Sequence, residues 1–143
     1  MHTRTVSIHS YRGGTGKSNI TANVAAGLAR RGKRVCIVDT DIQSPGIHAL
    51  FNVDPRNLRY TLNDYLWGRC RVDETAVDVT DAINEEATVG VRPPVSGSVF
   101  LIPSSLRAGE IARIIREGYE VNALNDGFRD ICGALDLDYL LID

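Results

Sequence analysis

The sequence predicts an α/β fold, with a mostly parallel sheet flanked by helices in three layers. Three observations carry this. The run Val35-Cys36-Ile37-Val38 is apolar without alternation, as in a parallel strand covered on both faces. Strand-like runs alternate with helix-patterned segments, the arrangement of βαβ units. A glycine-rich turn, residues 12–18, lies between the first strand and the first helix. At 143 residues the chain is long enough for one domain with its own core, spanning 1–143.

Residues 4–10 read as the first strand, with Val6 and Ile8 alternating with polar residues. Residues 17–31 read as a helix whose apolar face is Ile20, Val24, Ala25 and Leu28. Gly32 stands where a helix C-terminus favours glycine. Residues 34–39 form the second strand. Residues 40–60 read as a long loop with a helical patch near 47–51. Thr61 reads as an N-cap, with Asp64 three residues on, for a short helix carrying Leu62, Tyr65 and Leu66. Trp67 is expected to pack that helix on the core. A further short helix is expected over 73–79, and residues 80–97 read as loop. Val99-Phe100-Leu101-Ile102 is the third strand, stopped by Pro103. Residues 107–117 read as a helix ended by Gly118. Residues 120–135 carry the cleanest helical stripe, interrupted at Asp126-Gly127, where a break is expected. Asp138 to Asp143 is the last strand.

Composition is that of a globular protein, 43% hydrophobic and 24% charged. The net charge of -2 excludes a global pull toward nucleic acid or an anionic membrane. No apolar run approaches a membrane span. Met1-His2-Thr3-Arg4 leads straight into the first strand, so no signal peptide is expected and a cytoplasmic location follows. Cys36, Cys70 and Cys132 are far apart and form no CxxC pair, so they read as buried free thiols. His9 and His48 receive no role.

The segment Arg12-Gly13-Gly14-Thr15-Gly16-Lys17-Ser18 is a phosphate cradle by composition. Glycines let backbone N–H groups turn onto phosphate oxygens. The helix N-terminus adds free N–H groups and the positive end of its dipole. Gly13, Gly14, Thr15, Gly16, Lys17, Ser18 and Asn19 are therefore the expected nucleotide contacts. Lys17 can reach the β- and γ-phosphates, and Ser18 can ligate Mg²⁺. A dinucleotide-binding reading fails on spacing, because Asn19 stands where a third glycine is needed. The standard GxxxxGK(S/T) pattern also departs, with Tyr11 at its first glycine.

A basic residue before two glycines resembles the deviant Walker A motif of the MinD/ParA ATPases, KGGxGK(S/T), with Arg12 at the family's signature lysine. Two further segments support the resemblance. Asp39-Thr40-Asp41 follows the second strand, as switch I does in that family, and Leu140-Leu141-Ile142-Asp143 is a Walker B pattern. The resemblance implies ATP and Mg²⁺ as cofactors. It implies that Ser18, Asp39 and Asp143 serve the metal, with Lys17, Asp41 and Arg12 catalytic. Asp41 would position the attacking water, and the last strand would lie beside the first. Carboxylates after parallel strands also face the crevice where ligands bind in open sheets. A turn-capping role for Asp39 and Asp41 stands as the alternative.

Arg12 would reach across an ATP-dependent homodimer to the partner's phosphates; the other reading is a surface cation near an anionic site. Such ATPases position chromosomes, plasmids or septa, which implies a protein partner that stimulates hydrolysis, with a DNA or membrane surface as a further possibility. The family's iron–sulfur members share this P-loop type, and the cysteine spacing here argues against them. Arg30, Arg31, Lys33 and Arg34 read as a solvated helix end before a DNA contact. Two other readings stay open: a nucleotide-binding regulatory module without turnover, and a CobQ/CobB-like ATP-dependent biosynthetic enzyme. Family members continue beyond the Walker B strand, so the chain is expected to be the N-terminal part of a longer ATPase.

Overall fold

The computed structural model describes residues 2–10, 16–43, 45–88 and 94–143. Five strands, β1 (Arg4–Ser7), β2 (Arg34–Val38), β3 (Val77–Asp78), β4 (Ser98–Ile102) and β5 (Tyr139–Ile142), form one sheet. Their order is β1-β5-β2-β4-β3. All neighbours run parallel except β3, which pairs antiparallel with β4. The last strand therefore lies between the first and the second, with Val6 opposite Leu141 and Ile37 opposite the same residue on the other side.

Among the described residues five α-helices cover the sheet: α1 (Lys17–Arg30), α2 (Leu62–Leu66), α3 (Thr80–Thr88), α4 (Ala108–Glu117) and α5 (Val121–Ala134). Alternation along β2 explains its unbroken apolar run. Val35 and Ile37 face one core with Ala25, Ala29, Ile47, Phe51 and Ile83. Cys36 and Val38 face the other with Leu62, Ile114, Ile131 and Leu140. Both faces are dry, as a parallel strand requires. Trp67 packs against the second core, as expected, with the guanidinium carbons of Arg113 and Arg69 at 4.2 and 4.9 Å from its ring.

Four expectations are corrected. Residues 73–79 are not a helix: a 3-10 turn at Val72–Thr75 leads into β3. A two-residue strand is too short to leave a period in the sequence. Residues 80–97 are not all loop, since α3 opens them. The Asp78 carboxylate accepts from the Thr80 amide at 2.9 Å, and Val79 and Ile83 anchor the segment in the core. No break occurs at Asp126-Gly127, and α5 runs through it. A Cβ at Gly127 would stand 2.7 Å from Cε2 of Tyr65, so the glycine makes room for that ring. Finally, α1 buries Thr21, Ala25 and Ala29, while Ile20 and Val24 are 55% and 42% exposed. The helix is pinned at its start by bonds from Ser18 and Thr21 to Asp143, and these set its rotation. Small side chains on the buried face then let it lie close to the sheet.

Candidate nucleotide site

The site forms over the C-terminal ends of β1, β5 and β2. Gly16 caps α1 with φ +83°, a left-handed conformation that glycine adopts without strain. Its carbonyl accepts the first helical bond, from the Ile20 amide at 3.0 Å. Lys17 and Ser18 are thus the first two residues of α1, and Asn19 follows, exposed. Arg12, Gly13, Gly14 and Thr15 lie outside the described residues.

Asp143 is the centre of the site. It is 4% exposed, and both carboxylate oxygens are engaged. Oδ2 accepts from Ser18 Oγ at 3.0 Å. Oδ1 accepts from Thr21 Oγ1 at 2.6 Å and lies 3.5 Å from Lys17 Nζ. The pairing of β5 with β1 brings the Walker B aspartate onto the P-loop serine, as the family resemblance implies.

Asp39 and Asp41 stand one strand away. The Asp39 amide donates to the Ile102 carbonyl at 3.0 Å, and its own carbonyl accepts from Ser104 Oγ at 2.6 Å. Its carboxylate is 1% exposed; Oδ1 accepts from the Asp41 amide at 3.1 Å. Oδ2 is buried with no hydrogen-bond partner among the described residues. Burial pushes the Asp39 carboxyl up from 3.8 to about 7, and the charge of Asp143 adds to that. The turn-capping reading of Asp39 is therefore true of one oxygen only. Asp41 is exposed at the cleft.

A cavity of about 290 Å³ joins Lys17, Asp41 and Asp143, with Ile8, His9 and Thr40 also in its lining. Two larger cavities, of about 480 and 630 Å³, lie around Tyr60 and contain neither Lys17 nor Asp143. The chemistry marks the smaller one. Sequence reasoning missed His9 as a lining residue, and also Thr21 and Thr40. Thr40 Oγ1 donates to the Asp143 carbonyl at 2.7 Å. His9 and Thr21 belong to no motif pattern, and Thr40 is the unspecified middle residue of the Asp39-Thr40-Asp41 segment. The only available signal was position, at a strand end or one helical turn past the lysine.

The donor set suits Mg²⁺, a hard cation that takes oxygen ligands and keeps several waters. Ser18 Oγ and the Asp143 carboxylate are adjacent oxygens, and the buried Oδ2 of Asp39, without a hydrogen-bond partner among the described residues, is a third acceptor at the strand ends. No group of three or more His, Cys, Asp or Glu residues that could hold a metal occurs among the described residues. Elsewhere, Arg34 from the basic cluster is used structurally. Its Nε donates to the Leu135 carbonyl at 2.8 Å, and its guanidinium lies over the Phe100 ring. Among the described residues no helix is long and apolar enough to cross a membrane.

Parallel topology, a glycine-capped first helix and a Lys-Ser pair on a strand-end aspartate define a P-loop nucleotide-binding domain. A family model described as ParA, NUBPL iron-transfer P-loop NTPase, matches residues 2–143, and the chain belongs to this family. It is 31% identical over 118 residues to an uncharacterised ATP-binding protein of Methanocaldococcus jannaschii, a match covering 81% of this chain and 41% of that protein. In fold it is similar to the septum site-determining protein MinD of Pyrococcus horikoshii, solved with Mg-ADP. There the TM-score is 0.73 at 24% identity, covering 99% of this chain and 49% of that one. It is equally similar to cobyrinic acid a,c-diamide synthase of Mycobacterium smegmatis with a bound ATP analogue and magnesium. Here the TM-score is 0.74 at 24% identity, covering 99% and 51%. The chain thus spans about half the length of these solved structures.

Proposed function

We propose that this chain is the phosphate- and metal-binding part of a MinD/ParA-type ATPase that binds Mg-ATP, hydrolyses it slowly and uses it to switch between monomer and dimer. The observation that carries the reading is the convergence of Lys17, Ser18 and Asp143 at the ends of adjacent parallel strands. Lys17 rests on Asp143 Oδ1 at 3.5 Å, with its side chain 21% exposed, and turns to the β- and γ-phosphates when nucleotide enters. Ser18 and Asp143 would hold Mg²⁺, with the Asp39 carboxylate beside them. Bound Mg²⁺ supplies neutralisation of charge on the phosphate oxygens. Asp41, exposed at the cleft and tied through its amide to Asp39, orients the attacking water. Arg12 acts across the dimer on the partner's phosphates. The dimer then engages a protein partner that stimulates hydrolysis, in positioning a chromosome, septum or other cargo in the cytoplasm, with DNA or a membrane as the surface.

Iron transfer, named in the family's description, stands apart from this reading. Cys36 is a buried free thiol, Cys70 and Cys132 are free and half-buried rather than buried, and no CxxC pair occurs in the 143 residues. The likeness to cobyrinic acid a,c-diamide synthase supports a second reading, an ATP-dependent biosynthetic enzyme.

Calorimetric titration with Mg-ATP and a phosphate-release assay, on wild type and Lys17→Ala, test the proposal. Wild type should bind and release phosphate slowly, and Lys17→Ala should lose both. Equal binding by the two proteins would sink the reading. Binding without any release points to a regulatory module. Release that appears only with a small carboxylic acid points to the biosynthetic enzyme.

A further inference from the structure

Thr21 belongs to no motif, yet its side chain stands inside the site. It lies one helical turn beyond Lys17 and three residues beyond Ser18, so all three project from one side of α1. Its side chain is fully buried. Thr21 Oγ1 is 2.6 Å from Asp143 Oδ1 and 3.0 Å from the Lys17 carbonyl oxygen. A hydroxyl has one hydrogen to donate, and both neighbours are acceptors. The Lys17 carbonyl already takes the helix's own bond from four residues on. The carboxylate contact is shorter and charge-assisted, so it receives the proton.

The consequence falls on Lys17. Its ammonium sits 3.5 Å from the same Oδ1, and reaching a phosphate means leaving it. A buried carboxylate oxygen that loses its only partner pays the full cost of desolvation. With the Thr21 hydroxyl in place, Oδ1 stays bonded after the lysine departs. Oδ2 meanwhile stays turned to Ser18, at 3.0 Å.

We propose that Thr21 is a positioning residue of the nucleotide site: it holds Asp143 with one oxygen toward Ser18 and the Mg²⁺ position, and so frees Lys17 for the phosphates. This rests on the Mg-nucleotide reading above.

The test compares wild type with Thr21→Val, which keeps the shape and removes the hydroxyl, and with Thr21→Ser, which restores it. ADP affinity is measured by calorimetry across a Mg²⁺ series and again in EDTA, with a thermal melt of each protein. Removing a hydrogen-bond partner of a metal-site group typically weakens metal binding by about 10- to 100-fold. Thr21→Val should therefore raise the Mg²⁺ concentration for half-maximal tightening by about tenfold. Its ADP affinity in EDTA should change much less, and Thr21→Ser should stay near wild type. Should the valine variant melt early, Thr21→Ala carries the same comparison without added bulk. An unchanged Mg²⁺ dependence in the hydroxyl-free variants overturns the proposal. So does a serine variant that behaves like valine, because packing of the methyl would then be the cause. If wild type itself binds no ADP with or without Mg²⁺, the nucleotide reading falls and Thr21 with it. That failure is visible before any variant is compared.

Discussion

Thr40 and Asp143 are joined twice at one atom: the Thr40 amide and hydroxyl both donate to the Asp143 carbonyl, at 3.0 and 2.7 Å. The Asp143 amide in turn donates to the Val38 carbonyl at 3.0 Å. The end of β5 and the Asp39-Thr40-Asp41 segment are therefore stitched together by main-chain bonds plus one hydroxyl. Asp41 hangs from the outer end of that stitch.

Thr40→Val keeps the amide bond and removes the hydroxyl bond. The expected cost is about 1 kcal/mol, seen as a few degrees in Tm. Turnover should fall further than stability does, because Asp41 loses its fixed neighbour, while Mg-ATP affinity stays close to wild type. Phosphate-release rates beside calorimetry separate the two effects. A variant that binds and turns over like wild type would show that Asp41 does not depend on the stitch.

Arg12→Ala should abolish turnover and leave nucleotide binding by the monomer nearly intact. Arg12→Lys, which restores the family's residue, should keep activity if a single positive charge is what the partner's phosphates need. Gel filtration with and without ATP reports the dimer, and phosphate release reports turnover. Unchanged turnover in the alanine variant would reduce Arg12 to a surface cation.

Asp39 makes the stability of the metal-free protein depend on pH. Its folded value is about 7 against an ordinary 3.8, because burial disfavours the carboxylate. Between these values the folded chain holds more proton than the unfolded one. Stability should therefore fall as pH rises from about 4 to about 7 and level off above that. Melts in EDTA at pH 5 and pH 8 measure it: wild type should melt lower at pH 8, and Asp39→Asn should lose most of that difference. A wild-type Tm that rises over this interval contradicts the assignment.

Gly127→Ala should destabilise the fold although alanine is the better helix former. Its Cβ would meet the Tyr65 ring at 2.7 Å, and the Tyr65 hydroxyl is held by the Ala123 carbonyl at 2.7 Å. Overpacking of this kind costs about 1–3 kcal/mol. Chemical denaturation should show the loss, and adding Tyr65→Leu should recover part of it, as expected for residues in contact. A Gly127→Ala protein more stable than wild type would mean the ring moves aside at little cost.

The parts legible in the sequence were those written in short stretches of chain. Val35 to Val38 announced a strand buried on both faces, and the structure divides those residues between two cores. The Gly-Lys-Ser turn announced the start of α1, and Thr61 with Asp64 the start of α2, where the structure places a capping box. What stayed hidden had a weak local signal or none. β3 is two residues long, and the described buried anchor of α3 is Ile83. The rotation of α1 could not be taken from hydrophobicity, because Ile20 and Val24 are more apolar than the Thr21 and Ala29 that are buried instead.

By itself, then, the sequence determined the class of the domain, the start of α1 at the Gly-Lys-Ser turn and the identity of the charged groups around it. Each depends on residue types at fixed short spacings, which local backbone geometry obeys whatever the rest of the chain does. The tertiary structure decided that Asp143 meets Ser18 across 125 positions of chain, as the resemblance had implied. It also decided that Thr21 and Thr40 hydrogen-bond to that aspartate, and that one oxygen of Asp39 is buried with no hydrogen-bond partner among the described residues. The reason is that strand order is set by which faces can be buried together, a property of the whole sheet. Placing β5 between β1 and β2 turns distant residues into neighbours.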